Sequence, residues 1–530
     1  MNNYYYILIF LLFINLLIVK GDDVQCNTFV NSQSNMDPSE CGSSSNNACS
    51  NISQSILNCG EFNEIIITIS PGNYSINSET FGPITNKKIT ILNSDQPIIQ
   101  PSVIINLSKS VSPFIRYIPT TIDDTLTVSL NGITFENGIQ RGSVLLNNGS
   151  GIINLSVVNC AFINMLDSSY GSTFSFTNSS SLTTPTTIGI VSISKSTFSN
   201  SNSNQMGGFI YSINLPIQFT IDQSSFLGQN ISGTGISVAI LNGYLSVSNT
   251  IVKGLYTKYP FYLQRNNGIK SAMTTFTFNN VTFKDLTEGF AIMITGDKTT
   301  STEIKNCTFT NTVNISPIFI QGISQANIQS CTFTNNTNTL SLLNSAGGIS
   351  IESTTATIND CVFLNNKARL GGAISTSYCD LQGVTITNST FQGNSAQYFG
   401  GSIYNVNCNT TFKNVDFSSL VTNISTVYCS ASNMIFSSSN FTDSGKEIND
   451  LSNLGIICNS NPCAITIDSK PSIQCQYNEN DSNDNKGGLS TGQKILIAFG
   501  VVIGLIIIII IIVIIVRKVK KNREYKPFGY

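Results

Sequence analysis

The sequence predicts an all-β chain wound into a right-handed parallel β-helix solenoid, with an N-terminal cap before it and one C-terminal transmembrane helix after it. Three observations carry this expectation. The first is a motif with an apolar residue five positions before a Phe, or in one copy a Val, in twelve copies: Leu130/Phe135, Val157/Phe162, Ile193/Phe198, Ile221/Phe226, Val247/Val252, Phe278/Phe283, Ile304/Phe309, Ile328/Phe333, Ile358/Phe363, Ile386/Phe391, Phe412/Phe417 and Phe436/Phe441. Steps of 24 to 36 residues between copies lie in the range of solenoid repeats. The second is the sequence between copies. Short alternating runs such as TFTFNNVTF at 275–283 favour strands, and helix-forming stretches are missing. The third is parity. Positions −5 and −3 share one alternation phase and −2 and 0 the other, so a two-residue bend separates the pairs.

Position −3 is Asn at Asn159, Asn249, Asn280, Asn306, Asn388 and Asn414, and Asp at Asp360. Asn tolerates the left-handed backbone of a tight bend, and stacked Asn side chains can hydrogen-bond from coil to coil. A right-handed crossover is the rule for parallel strands in one sheet.

Residues 1–21 read as a secretory signal peptide, because Ile7–Val19 is apolar but too short to span a bilayer and VKG precedes Asp22. The alternative is an uncleaved anchor. Residues 22–60 form a cap in which Cys26, Cys41, Cys49 and Cys59 are expected to make two disulfides. Residues 61–455 hold the β-helix. At a coil rise of about 4.8 Å its twelve copies make a rod of roughly 55–60 Å. Cys160, Cys307, Cys331 and Cys361 all occupy position −2 and read as small buried hydrophobes. Cys379, Cys408 and Cys429 offer one further pair.

Residues 456–494, with Cys458, Cys463, Cys475 and the polar run NENDSNDNKGG, read as a stalk. Ile495–Val516 is 22 uncharged residues, enough for a transmembrane helix. Arg517, Lys518, Lys520, Lys521 and Arg523 follow it, which places residues 517–530 in the cytosol. The expected protein is type I, at the plasma membrane, with its ectodomain outside. The tail segment YKPF, Tyr525 to Phe528, fits a Tyr-x-x-bulky-apolar pattern that resembles clathrin-adaptor sorting signals, so an adaptor is the partner expected there.

After the Phe, FLNNKARLGGAIS at 363–375 and FQGNSAQYFGGSI at 391–403 continue alike. Phe363, Asn366, Gly371, Gly372, Ala373 and Ile374 form a pattern that resembles the repeats of the polymorphic outer-membrane proteins, which implies a β-helical surface adhesin. Upstream, CSNISQSILNCGEFNEIIITISPGNYSI at 49–76 resembles the entry to pectin-lyase-like β-helices: a short amphipathic helix, a strand, then Pro-Gly-x-Tyr. The overall layout is similar to Asn/Ser-rich single-pass surface proteins of social amoebae.

A net charge of −2 with 11% charged residues provides no electrostatic surface for nucleic acid. The chain has no histidine, so it lacks the commonest neutral-pH general base and a common metal ligand, and no cofactor is expected. The pectin-lyase-like resemblance implies lyases, hydrolases and esterases that work through Asp clusters with Arg or Lys. The best carboxylate pair is Glu352 and Asp380, each eleven residues before its Phe, with Arg369 between them in sequence. Counted from Gly347 and Gly371 their offsets differ, so they read as solvated charges. The doublet Asp123-Asp124 reads as a loop.

The function expected is therefore non-enzymatic presentation of the rod to an extracellular glycan or protein ligand. A membrane-anchored carbohydrate-active enzyme is the alternative. Tyr256, Tyr259, Phe261 and Tyr262 read equally as packed loop or sugar platform. Among the Asn-x-Ser/Thr acceptors, Asn51, Asn73, Asn178 and Asn480 are the candidates for glycans. Asn280, Asn306 and Asn388 are expected to point inward, unmodified.

Overall fold

A computed structural model of the chain describes residues 25–475, apart from 77–84, 96–101, 168–169, 179–188, 201, 204–205, 216, 229–235, 256–258, 266–273, 340–345, 419–425, 442–455, 459–462 and 469–471. Residues 1–21, expected as a signal peptide, Asn480, the apolar run at 495–516 and the tail with Tyr525 and Phe528 lie outside the described residues. No helix among the described residues is long and apolar enough to cross a membrane.

Three long sheets, of 17, 14 and 16 strands, are built up coil by coil, with Thr337–Asn338, Lys367–Leu370 and Ser395–Phe399 as a side ladder of the third. Pairing is parallel from the first strand, Gln25–Val30 on Glu64–Ile69, to the last coil, Asn433–Ser437 on Cys463–Ile467. The sequence repeat and the coil are the same object. All twelve residues at position −5 share one register through the first sheet. All twelve at position zero share one register through the second. From Phe283 to Phe417 the rings stack at 4.7–5.0 Å between centroids. That is the coil rise itself, about 4.8 Å.

The bend falls where parity requires it. Position −3 has a positive φ in every copy, from 46° at Gln223 to 72° at Gly132, whatever the residue type. Its side-chain direction differs from the expectation. Asn280, Asn306 and Asn388 are exposed, because a left-handed corner residue turns its side chain away from the core. The inward residue is the next one, at −2, where Cys160, Ser196, Thr250, Cys307 and Ser389 are buried. A ladder does form at −3, but on the outside. Asn280 Nδ2 donates to Asn249 Oδ1 at 2.8 Å, and Asn414 Nδ2 to Asn388 Oδ1 at 2.9 Å.

The buried ladder lies three residues after the Phe, at Asn336, Asn366 and Asn394. Asn366 Oδ1 accepts from the Asn336 backbone N–H and from Asn336 Nδ2, at 3.1 and 3.0 Å. Asn366 Nδ2 donates to the Phe333 carbonyl and to Asn394 Oδ1, at 2.9 and 3.0 Å. All of its amide hydrogen-bonding capacity is used, as burial demands. The Gly pair follows. Gly371 has a φ of +63°, and a Cβ on Gly372 would run into the carbonyl oxygens of Gly401 and Ser395. Re-entry into the coil therefore needs bare backbone.

Both cap disulfides form, as Cys26–Cys59 and Cys41–Cys49. The pair expected among the later cysteines is Cys379–Cys408. Cys429 joins Cys463 instead, and Cys458 is also disulfide-bonded. The four cysteines at −2 are free and buried, and burial pushes the Cys160 thiol up to about 12. Helix α1, Ile52–Asn58, packs on Gln25–Val30, the first strand of the first sheet, as the entry motif suggested. At the other end the solenoid does not stop at 455. Ile456–Cys458 and Cys463–Ile467 add strands to the third and first sheets, and Ile473–Cys475 closes the first sheet by antiparallel pairing.

Candidate ligand-binding face

The third sheet differs from the first in what it turns outward. On the first sheet the outward column is small and polar: Ser129, Ser156, Ser192, Thr220, Ser246 and Thr277 lie in register. On the third, Val238, Ile240, Phe261, Leu263, Ile292 and Ile294 enter the core, and the residues between them stack outside it. That outer column runs Tyr211, Ala239, Tyr262, Met293, Phe319.

Tyr211, Ala239 and Leu241 form an apolar cluster separate from the interior core, with Tyr170, Met206, Ile213, Tyr259 and Tyr262 packed against it. Tyr170 lies 4.9 Å from Tyr211 between ring centroids, and Tyr259 stacks on Phe290 at 5.9 Å with planes 5° apart. Phe290 continues to Phe319 at 4.8 Å. The Tyr262 hydroxyl donates to Gln264 Oε1 at 3.0 Å. Burial raises the phenol pKa values of Tyr211 and Tyr262, so both stay neutral hydrogen-bonding groups at physiological pH. A second aromatic set lies further along, where Tyr404 stacks on Tyr428 at 5.0 Å and 6°, and Phe399 tilts against Tyr428.

Of the aromatic residues singled out in the sequence, Phe261 belongs to the interior core and Tyr256 lies outside the described residues. Tyr259 and Tyr262 lie on the outer cluster. The outward column itself had no sequence signal, because the segment between each Phe and its third-sheet strand varies in length and hides the register.

The carboxylate candidates are drawn to other partners. Asp380 sits 2.5 Å from Lys298 Nζ, in a pair whose side chains are 36% and 56% exposed. The same ammonium donates to the Ser353 carbonyl at 2.8 Å and to the Ile323 carbonyl at 3.3 Å, so Lys298 clips turns of successive coils. Arg369 lies over the Tyr398 ring at 5.1 Å and donates to its hydroxyl at 3.2 Å. Glu352 stands in the third sheet, in register with Gln321 and Ser377.

Asp124 is likewise a turn staple. It accepts from the backbone N–H groups of Thr121 and Thr120 and from the Thr120 hydroxyl, which hold its carboxyl at about 2. Among the described residues no group of three His, Cys, Asp or Glu side chains is placed to hold a metal ion. An exposed ion pair contributes little, so Asp380→Asn is expected to change stability by less than about 1 kcal/mol. Denaturant midpoints of the two proteins test this, and a larger loss would mean that the lysine clip orders the turns.

Of the glycan candidates, Asn51 is the N-cap of helix α1, accepting from the Gln54 N–H at 2.8 Å, and is exposed, as is Asn73. Asn178 is not on an outer loop. It follows the wholly buried strand Phe174–Thr177 and is itself only 7% exposed.

Residues 261–417 match the family model for a right-handed β-helix region. No curated protein matches the chain significantly. Among solved structures, a mannuronic acid specific polysaccharide family 6 lyase from human gut microbiota superposes with a TM-score of 0.34 at 9% identity, covering 74% of this chain and 85% of its own. Tailspike protein 3 of bacteriophage CBA120 gives a TM-score of 0.27 at 12% identity, over 77% and 57%. These superpositions are too loose to transfer a site.

Proposed function

We propose that the chain is a non-enzymatic, type I cell-surface glycoprotein whose β-helix recognises an extended neutral glycan along the outward face of the third sheet. The observation that carries this reading is the outer aromatic column. One outward column of the first sheet is Ser and Thr from Ser129 to Thr277, whereas the third sheet places Tyr211, Tyr262 and Phe319 in one outward column. Tyr211, Ala239 and Phe319 are themselves buried, and the half-buried Tyr259, Tyr262 and Met293 are the edge of the cluster that a ligand can reach. Tyrosine suits a sugar because its ring meets the apolar face of a pyranose while its hydroxyl reaches the rim. Gln264, Thr295 and Gln321, in register beside the column, supply neutral donors and acceptors.

Catalysis in such a solenoid would need carboxylates and a base aimed at one bond. Asp380 and Arg369 are engaged with Lys298 and Tyr398, and the sequence has no histidine. Display at the membrane rests on the 22-residue apolar run and its basic flank.

The test is retention of cells displaying the full-length protein on immobilised neutral polysaccharides. Tyr262→Ala should weaken retention about tenfold, equivalent to about 1.4 kcal/mol, whereas Ser246→Ala on the first sheet should leave it unchanged. Equal retention by both variants would reject the face. Shortening of the polysaccharide on incubation, abolished by Asp380→Asn, would replace the binding reading with the enzymatic one.

A further inference from the structure

We infer that the outer asparagine row at the corner between the first and second sheets is an N-glycosylation row, with Asn280, Asn306 and Asn388 as its modified members. The inference rests on the surface-protein reading above, since it needs passage through a secretory compartment.

Each of these residues begins an acceptor tripeptide, Asn280-Val281-Thr282, Asn306-Cys307-Thr308 and Asn388-Ser389-Thr390. The coil splits each tripeptide in the same way. The middle residue is buried, the Asn is exposed, and the Thr is half-exposed at the start of a second-sheet strand. Amide and hydroxyl therefore both face solvent, and the Asn is held there by a backbone φ of 48–56°.

The ladder tolerates the modification. In transfer, Nδ2 attacks the anomeric carbon of a lipid pyrophosphate-linked oligosaccharide. The Nδ2–C1 bond forms, the C1–O bond breaks with its electron pair going to the lipid pyrophosphate, and one amide proton is released. One N–H remains on Nδ2. In the ladder Asn280 donates to Asn249 Oδ1, Asn306 to Asn279 Oδ1 and Asn388 to Asn359 Oδ1, one bond each. A secondary amide can keep that bond. The inner ladder could not accept a sugar, because Asn366 uses both amide hydrogens and is fully buried.

The row also sits where it leaves the proposed binding face free. It lies at the bend between the first and second sheets, whereas the aromatic column belongs to the third.

The full-length chain, made in a cell that N-glycosylates, is mapped by glycopeptide mass spectrometry. Glycan at Asn280, Asn306 and Asn388 is the expected result. Thr282→Val, Thr308→Val and Thr390→Val remove each acceptor while keeping its asparagine and a β-branched strand residue. Each should lose one glycan step in electrophoretic mobility, and the triple variant three. All three sites bare while Asn51 or Asn73 carries glycan would overturn the row and leave the surface reading standing. No glycan on any acceptor would overturn both.

Discussion

Replacing Asn366 by leucine is expected to lower stability by about 2 kcal/mol, because two buried groups lose their partners at about 1 kcal/mol or more each. They are the backbone N–H of Asn336 and one Nδ2 hydrogen of Asn336, while the Phe333 carbonyl loses one donor and keeps its sheet bond to the next coil. Asn394 Oδ1 loses one of its two donors as well, keeping only the Asn366 backbone N–H. Asn366→Asp separates hydrogen bonding from packing, since its shape is nearly unchanged. The new carboxylate would face the Phe333 carbonyl and Asn394 Oδ1 without a donor of its own. Burial beside acceptors raises a carboxyl pKa above its unfolded value of about 3.9. The penalty is therefore absent below the unfolded pKa and grows as pH rises toward the raised folded one. Denaturant midpoints of Asn366→Asp and wild type should converge near pH 4 and separate by pH 7. Equal separation at both values would show that the amide acts by shape alone.

The outer and inner ladders show where sequence suffices and where it does not. The spacing from −5 to zero is rigid because two short strands and one bend have no room for an insertion, so periodicity gave the register of two sheets over twelve coils. Parity also located the left-handed corner, which even Lys195 and Gln223 occupy at φ values of 50° and 46°. What parity could not give was the direction of the side chain at that corner, since a residue outside both strands belongs to neither alternation. Asn306 therefore reads as inward from its ladder role and is outward in space. The third sheet was illegible for the opposite reason. Tyr262, Met293 and Phe319 come ten residues after Val252, Phe283 and Phe309, but Tyr211 and Ala239 come thirteen after Phe198 and Phe226, and Ser350 seventeen after Phe333. Variable loops between the second and third sheets break the period there. Asp380 looked like one half of a site because sequence cannot show Lys298 lying across the intervening turns.

Phe363→Asp should have the largest effect of any single change. The ring is fully buried and stacks on Phe333 at 4.8 Å and on Phe391 at 4.7 Å, so its removal opens the column on both sides. Phe363→Ala alone should cost about 3–5 kcal/mol through the cavity. Aspartate adds a buried charge with no cation to pair it, which costs more than the cavity does unless the coil opens to water. Lys367→Ala, four residues on and exposed, should stay within about ±0.5 kcal/mol. In a solenoid each coil is stabilised by its two neighbours, so damage should be read first in the coils touching the lesion. Hydrogen exchange should therefore show Phe333 and Phe391 strands losing protection in Phe363→Asp, while Glu64–Ile69 and the disulfide-closed cap keep theirs. Uniform loss from cap to final coil would instead mean that the column folds as one cooperative unit. The stacked phenylalanines would then be the nucleus of the whole chain, not a series of local contacts.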